Sequence, residues 1–157
     1  MRGILNAIEI EQLLNSQVMG RIGCRYGDSI YIVPISYAYD GKYVYCHTQE
    51  GMKVHLMREY PKVCFEVEHM ADMANWKTVI GWGIFEELKD PEERNYALNK
   101  LHERILPMIS SETVQLSADW PFRPSAPDTI EGVTFRIHLA EKSGRFERSG
   151  TENFFAS

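Results

Sequence analysis

The chain has 157 residues, 44% of them hydrophobic and 25% charged, a composition of soluble globular domains that excludes a disordered or fibrous protein. Its 17 Lys and Arg against 22 Asp and Glu give a net charge of −5 with no basic run, which counts against a nucleic-acid surface. No apolar run approaches the ~20 residues of a membrane span, and acids interrupt the N-terminal MRGILNAIEIEQLL where a signal peptide is continuously apolar, so a single cytoplasmic domain over residues 1–157 is expected.

Asn6 and Glu9 have capping-box spacing and open a short helix with Ile10, Leu13 and Leu14 on one face. Val18 to Tyr26 reads as a strand, and Gly27-Asp28 turns it into a second, Ser29 to Tyr39. Pro34 cannot donate to a ladder, which leaves an edge strand or a strand whose freed backbone faces a ligand. A second turn at Asp40-Gly41 leads to the strand from Tyr43 to Thr48, then to a helix from about Met52 to Glu59 that stops before Pro61. Val63 to Val67 is a strand, and His69 to Asn75 a loop.

Trp76 to Leu88 is the longest strand, with Gly81 and Gly83 marking the strong bend that closes a small barrel. Asp90-Pro91-Glu92-Glu93 supplies an N-cap, a proline at the first helical position and first-turn acids, and Ala97, Leu98, Leu101 and Ile105 form the apolar stripe of the helix that follows. Residues 107–128, with Trp120, Phe122 and Arg123 at their centre, read as a long ordered loop. Thr129 to Ala140 is the last strand, pointing Val133, Phe135, Ile137 and Leu139 inward. Beyond Ser143 the tail is free to fray, although Phe146, Phe154 and Phe155 suit docking on a partner subunit. Cys24, Cys46 and Cys64 are odd in number and lack CxxC spacing, as buried reduced thiols do.

Chemistry concentrates in the middle of the chain. Lys53 falls in the first turn of a short helix, where open N–H groups and the positive dipole end favour an anion, and Thr48 and Gly51 lie in the loop before it. The alternative is a solvated helix lysine. His47 is suited to donate, accept or shuttle a proton, or else is a strand-end histidine satisfied by backbone. His55, His69, His102 and His138 show no metal-ligand spacing, so no metal is expected.

The run VPISYAYDG followed by HTQEGMK resembles the core of the FMN-binding split-barrel proteins, the pyridoxamine 5′-phosphate oxidase-like superfamily. Within it the chain is most similar to the branch that includes the nitroimidazole-resistance flavoproteins. The similarity covers roughly residues 18 to 88 and, more loosely, the last strand. It implies a mainly β fold, a six-stranded antiparallel split β-barrel with flanking helices, and a homodimer holding FMN at the subunit interface. It sets Val33, Pro34, Ile35 and Ser36 along the isoalloxazine, and His47, Thr48, Gly51, Met52 and Lys53 around the ribityl chain and phosphate. Trp76, Thr78 and Val79 fall in a second flavin-contacting segment, and His47 is the implied catalytic group.

The implied activity is reduction of a small aromatic or nitro-aromatic acceptor. Oxidation of a pyridoxamine-like amine, or non-catalytic flavin or haem binding, are the alternatives. Met52 replaces the first residue of a basic pair found in the full-length oxidases, and Tyr31 and Ser36 stand on a strand that is more basic in them. Both departures point away from pyridoxamine phosphate oxidation itself.

Overall fold

A computed structural model describes residues 1–105 and 131–150. The expected loop at 107–128, with Trp120, Phe122 and Arg123, lies outside them, as do Phe154 and Phe155. The elements are β1 (Arg2–Ile4), α1 (Ala7–Ser16), β2 (Met19–Tyr26), β3 (Ser29–Ser36), β4 (Ala38–Tyr39), β5 (Tyr43–Thr48), α2 (Met52–Glu59), β6 (Lys62–Asp72), β7 (Asn75–Glu87), α3 (Pro91–Ile105) and β8 (Val133–Glu147). All strand pairs are antiparallel within one sheet, in the order β3-β2-β6-β7-β8-β5-β4, with β1 added on β8. The six expected strands are its long members; β1 and β4, of 3 and 2 residues, join them through tertiary pairing.

The strand expected as one piece from Ser29 to Tyr39 breaks at Tyr37, and that break closes the barrel. β3 and β4, on either side of it, stand at opposite ends of the strand order, so one corner in the chain brings the sheet round on itself. Tyr37 is fully buried, its N–H donating to Val18 O at 2.9 Å and its hydroxyl to Leu14 O at 2.6 Å. Its ring meets Phe65 edge-on at 5.0 Å, so the corner satisfies both the polar and the apolar demands of a buried phenol.

Alternation fills the interior: Ile22, Val44, Cys46, Val67, Val79, Phe135 and Ile137 are fully buried. The Asn6–Glu9 capping box forms, and α1 turns Ile10, Leu13 and Leu14 into this core. Asp90 Oδ2 accepts the Glu93 N–H at 3.1 Å and starts α3, which lays Ala97, Leu101 and Ile105 over Ala38 and Tyr45 on the outer side of the sheet.

Three expectations are corrected. β6 continues through Asp72, reducing the predicted loop from His69 to a Met73-Ala74 turn in which Asp72 Oδ1 accepts the Ala74 N–H. β8 continues to Glu147, because β7 on one flank and β1 on the other pair with its second half, and Phe146 is buried instead of fraying. Cys64 is half-exposed, unlike Cys24 and Cys46. The bend predicted at Gly81 and Gly83 coincides with a register shift in the β7–β8 ladder. Among the described residues no helix is long and apolar enough to cross a membrane.

Candidate functional site

The turn between β5 and α2 is the first component. α1 and α3 carry side-chain caps, whereas α2 begins at Gly51 with no side-chain acceptor, leaving its first-turn N–H groups open. Val54, Leu56 and Met57 anchor the helix to the core, Met52 points outward, and Lys53 is half-buried. Lys53 makes no ion pair with any described residue. Its charge reaches the Cys24 and Cys46 thiols, partly opposing the upward pKa shift that burial gives both. A lysine beside uncapped N–H groups is an arrangement that accepts an anion.

His47 is held on both sides. Nε2 lies 2.8 Å from Glu131 O, which can only accept, so Nε2 carries the proton; Nδ1, 2.9 Å from Thr134 Oγ1, accepts from the hydroxyl. Burial lowers its pKa; the Glu131 carbonyl opposes this and the Arg94 charge adds to it, leaving a neutral ring at pH 7. One of these partners is backbone, the Glu131 carbonyl, and the other is the Thr134 side chain. Gly132, which was not singled out in the sequence, makes them possible: its φ is +102°, and a Cβ there would stand 2.6 Å from Thr48 O and 2.9 Å from His47 Nε2. The only sequence signal for it is a glycine directly ahead of the last alternating run.

The pleat divides the remaining candidates between two faces. Val33, Ile35 and Val79 pair with Ile22, Gly20 and Val67 and point into the barrel. Pro34 and Ser36 point outward from β3, which is an edge of the strand order, and Trp76 and Thr78 point outward from β7. Pro34 is thus both an edge-strand residue and exposed, so neither reading of it is lost. It stands opposite Arg21, which ion-pairs with Glu66 and Glu68 at 3.1 Å, and Thr78 Oγ1 donates to Glu66 Oε1 at 3.0 Å. Trp76 Nε1 donates to Glu147 Oε2 at 3.2 Å. Thr48 ends β5 opposite Val133, one residue beyond the His47–Thr134 pair.

The outer face shared by Pro34, Ser36 and Thr78 is apolar over much of its area. Ile30 and Ile32 on β3 are 76% and 64% exposed, and Trp82 and Ile84 on β7 are 45% and 47% exposed. Ile32, Gly23, Cys64 and Trp82 form one cross-strand row, and a groove of about 680 Å³ beside it is lined by Gly23, Ile30, Cys64, Trp82, Gly83 and Ile84 among others. α3 covers the equivalent surface over β5; no described element covers this one. Among the described residues no cluster of His, Cys, Asp or Glu is arranged to hold a metal.

An antiparallel sheet closed at one corner, with flanking helices, defines a split-barrel protein. The chain belongs to the pyridoxamine 5′-phosphate oxidase family, whose sequence pattern it matches over residues 6–146. It is 33% identical over 155 residues to an uncharacterized protein of Rhizobium meliloti (strain 1021), covering 94% of this chain and 96% of that one. It is also similar to the crystal structure of an FAD-binding protein from Mesorhizobium loti, with 28% identity, a TM-score of 0.73, and 93% and 98% of the two chains covered. A candidate 5-nitroimidazole antibiotic resistance protein from Bacteroides thetaiotaomicron shares the fold at 16% identity and a TM-score of 0.69, over 93% and 87% of the two chains. The family resemblance carried by VPISYAYDG and HTQEGMK is therefore borne out.

Proposed function

We propose that the protein binds FMN and serves as an oxidoreductase that reduces a small aromatic or nitro-aromatic acceptor, working as a cytoplasmic homodimer with the flavin at the subunit interface. The observation that carries the reading is Lys53: a half-buried lysine without a carboxylate partner among the described residues, in the first turn of the one described helix that lacks a side-chain cap. The residues fit the group, since a flavin phosphate asks for a cation and N–H donors at one end and an apolar surface for its ring. The flavin, when bound, supplies two-electron transfer chemistry.

The chain's own residues supply the rest. Lys53 and the Gly51–Lys53 backbone hold the phosphate, with Thr48 offering a hydroxyl on the approach. Pro34 and Ser36 flank the ring from the β3 edge, where Pro34 leaves no backbone donor to compete for it. Thr78 and Trp76 bound the ring from β7. A second copy seated on Ile30, Ile32, Trp82 and Ile84 excludes water from the ring's surroundings and strengthens every polar contact there. His47, neutral and held at both nitrogens, orients the Glu131-Gly132 turn beside Thr48; to move a proton it would first give up one of those bonds.

The Mesorhizobium loti protein favours a second reading, in which the flavin is FAD. Flavin released by denaturing the purified protein and separated by chromatography tests both. FMN as the main species is expected, FAD would replace it with the second reading, and a colourless protein that takes up neither flavin would remove the proposal.

A further inference from the structure

Arg58 lies in the last turn of α2 and holds two carboxylates at once. Nη1 and Nη2 donate to Glu50 Oε2 and Oε1 at 2.9 and 2.8 Å, and Nε and Nη2 donate to Glu87 Oε2 and Oε1 at 2.9 and 2.7 Å. Each is a fork-to-fork contact, and a lysine could not reproduce the pair of them. Both carboxyls are held below the usual carboxylate range, first by their hydrogen bonds to Arg58. The anchor is firm: Glu87 ends β7, and the next residue, buried Leu88, donates its N–H to Thr134 O at 2.8 Å.

Exposed ion pairs contribute little to stability, so the consequence of this one lies in where it keeps Glu50. Glu50 directly precedes Gly51, the uncapped start of α2, and is three positions from Lys53. A glutamate there is itself an anion next in sequence to the open N–H groups and close along the chain to the Lys53 ammonium. His55 Nε2, 3.6 Å from Glu50, is a weaker competing partner. We propose that Arg58 is a positioning residue that withdraws Glu50 from the anion turn and pins the turn to the end of β7, keeping it open for a ligand phosphate. The inference rests on the reading that Lys53 receives the phosphate.

The test titrates the 157-residue chain, freed of flavin, with FMN and with riboflavin, which lacks the phosphate. Lys53→Ala is the reference, and Arg58→Ala, Arg58→Lys and Arg58→Ala/Glu50→Gln are the variants. Arg58→Ala is expected to weaken FMN about tenfold and riboflavin less than about twofold, a charge-dependent loss on the scale of one hydrogen bond to an ion. The added Glu50→Gln is expected to restore FMN to within about threefold of the unaltered protein, because removing the competing charge does the work of withdrawing it. Arg58→Lys is expected to lose about threefold, which keeps the idea testable if the alanine variant does not fold. Unaltered FMN binding in both Arg58 variants, or a double variant no better than Arg58→Ala, overturns the role given to Arg58. Equal loss of both flavins in Lys53→Ala overturns instead the underlying placement of the phosphate.

Discussion

Lys53 and His47 share one short stretch but are held in different ways, so they are expected to fail differently. A charge-assisted contact to phosphate is worth about 1.5–3 kcal/mol, so Lys53→Ala is expected to weaken FMN by roughly tenfold to a hundredfold while sparing riboflavin. Isothermal titration with the two flavins measures the difference. His47 bears instead on acid stability. Its pKa is lowered from the ordinary 6.5, chiefly by burial, so below about pH 6.5 the unfolded chain gains a proton that the folded chain refuses. Stability therefore falls with pH through that window and levels off below His47's own lowered value. His47→Gln is expected to show a smaller drop in urea midpoint between pH 7.5 and 5.5 than the unaltered protein; equal drops would mean that the ring is not held neutral. Lys53 was legible from position in a helix. The contacts of His47 were not, since Thr134 and Glu131 lie more than 80 positions along the chain.

At the scale of elements, legibility followed local chemistry. α1 and α3 could be read from their caps, α2 from the proline that follows it, and the β2–β3 turn from Gly27, whose φ is +61°. The far end of β6, residues 68–72, is exposed on both faces and so carries no alternation; only pairing with β7 makes it a strand. The second half of β8 is likewise defined by its neighbours. The outer apolar face is not legible in the sequence because Ile30 and Ile32 alternate with Tyr31 and Val33, and with apolar residues on both sides of a strand the pattern does not say which side is core. The bend in β7 was legible, and it makes a sharp prediction. A Cβ on Gly83 would stand 2.1 Å from His138 O, a backbone atom in the partner strand. Gly83→Ala is expected to cost about 1–3 kcal/mol, seen as a lower urea midpoint at unchanged slope. A midpoint within error of the unaltered protein would show that the ladder accommodates the methyl freely.

Across the described residues, the decisive asymmetry is that α3 covers one outer side of the sheet and no described element covers the other. An exposed patch holding Ile30, Ile32, Trp82 and Ile84 is unusual on a monomer, and self-association along it is the proposed remedy. Trp82→Glu puts a charge in that face without touching the core. It is expected to halve the mass found by light scattering, to leave the far-ultraviolet circular dichroism unchanged, and to reduce flavin retention because the ring would lose its second wall. A Trp82→Glu protein that remains dimeric would direct the search for the interface elsewhere.

The position of β8 has a consequence for how the protein is made. It is the last of the described strands, yet it sits between β7 and β5 in the sheet and also receives β1. A chain emerging from the ribosome therefore exposes two long unpaired strand edges, on β5 and on β7, until residues 133–147 are free to enter between them. The first strand waits as well, since Arg2 and Ile4 find their partners only at Glu147 and Arg145. Closure of the barrel is thereby deferred until residues 133–147 have been made, and until then those two edges are open to pairing with other chains.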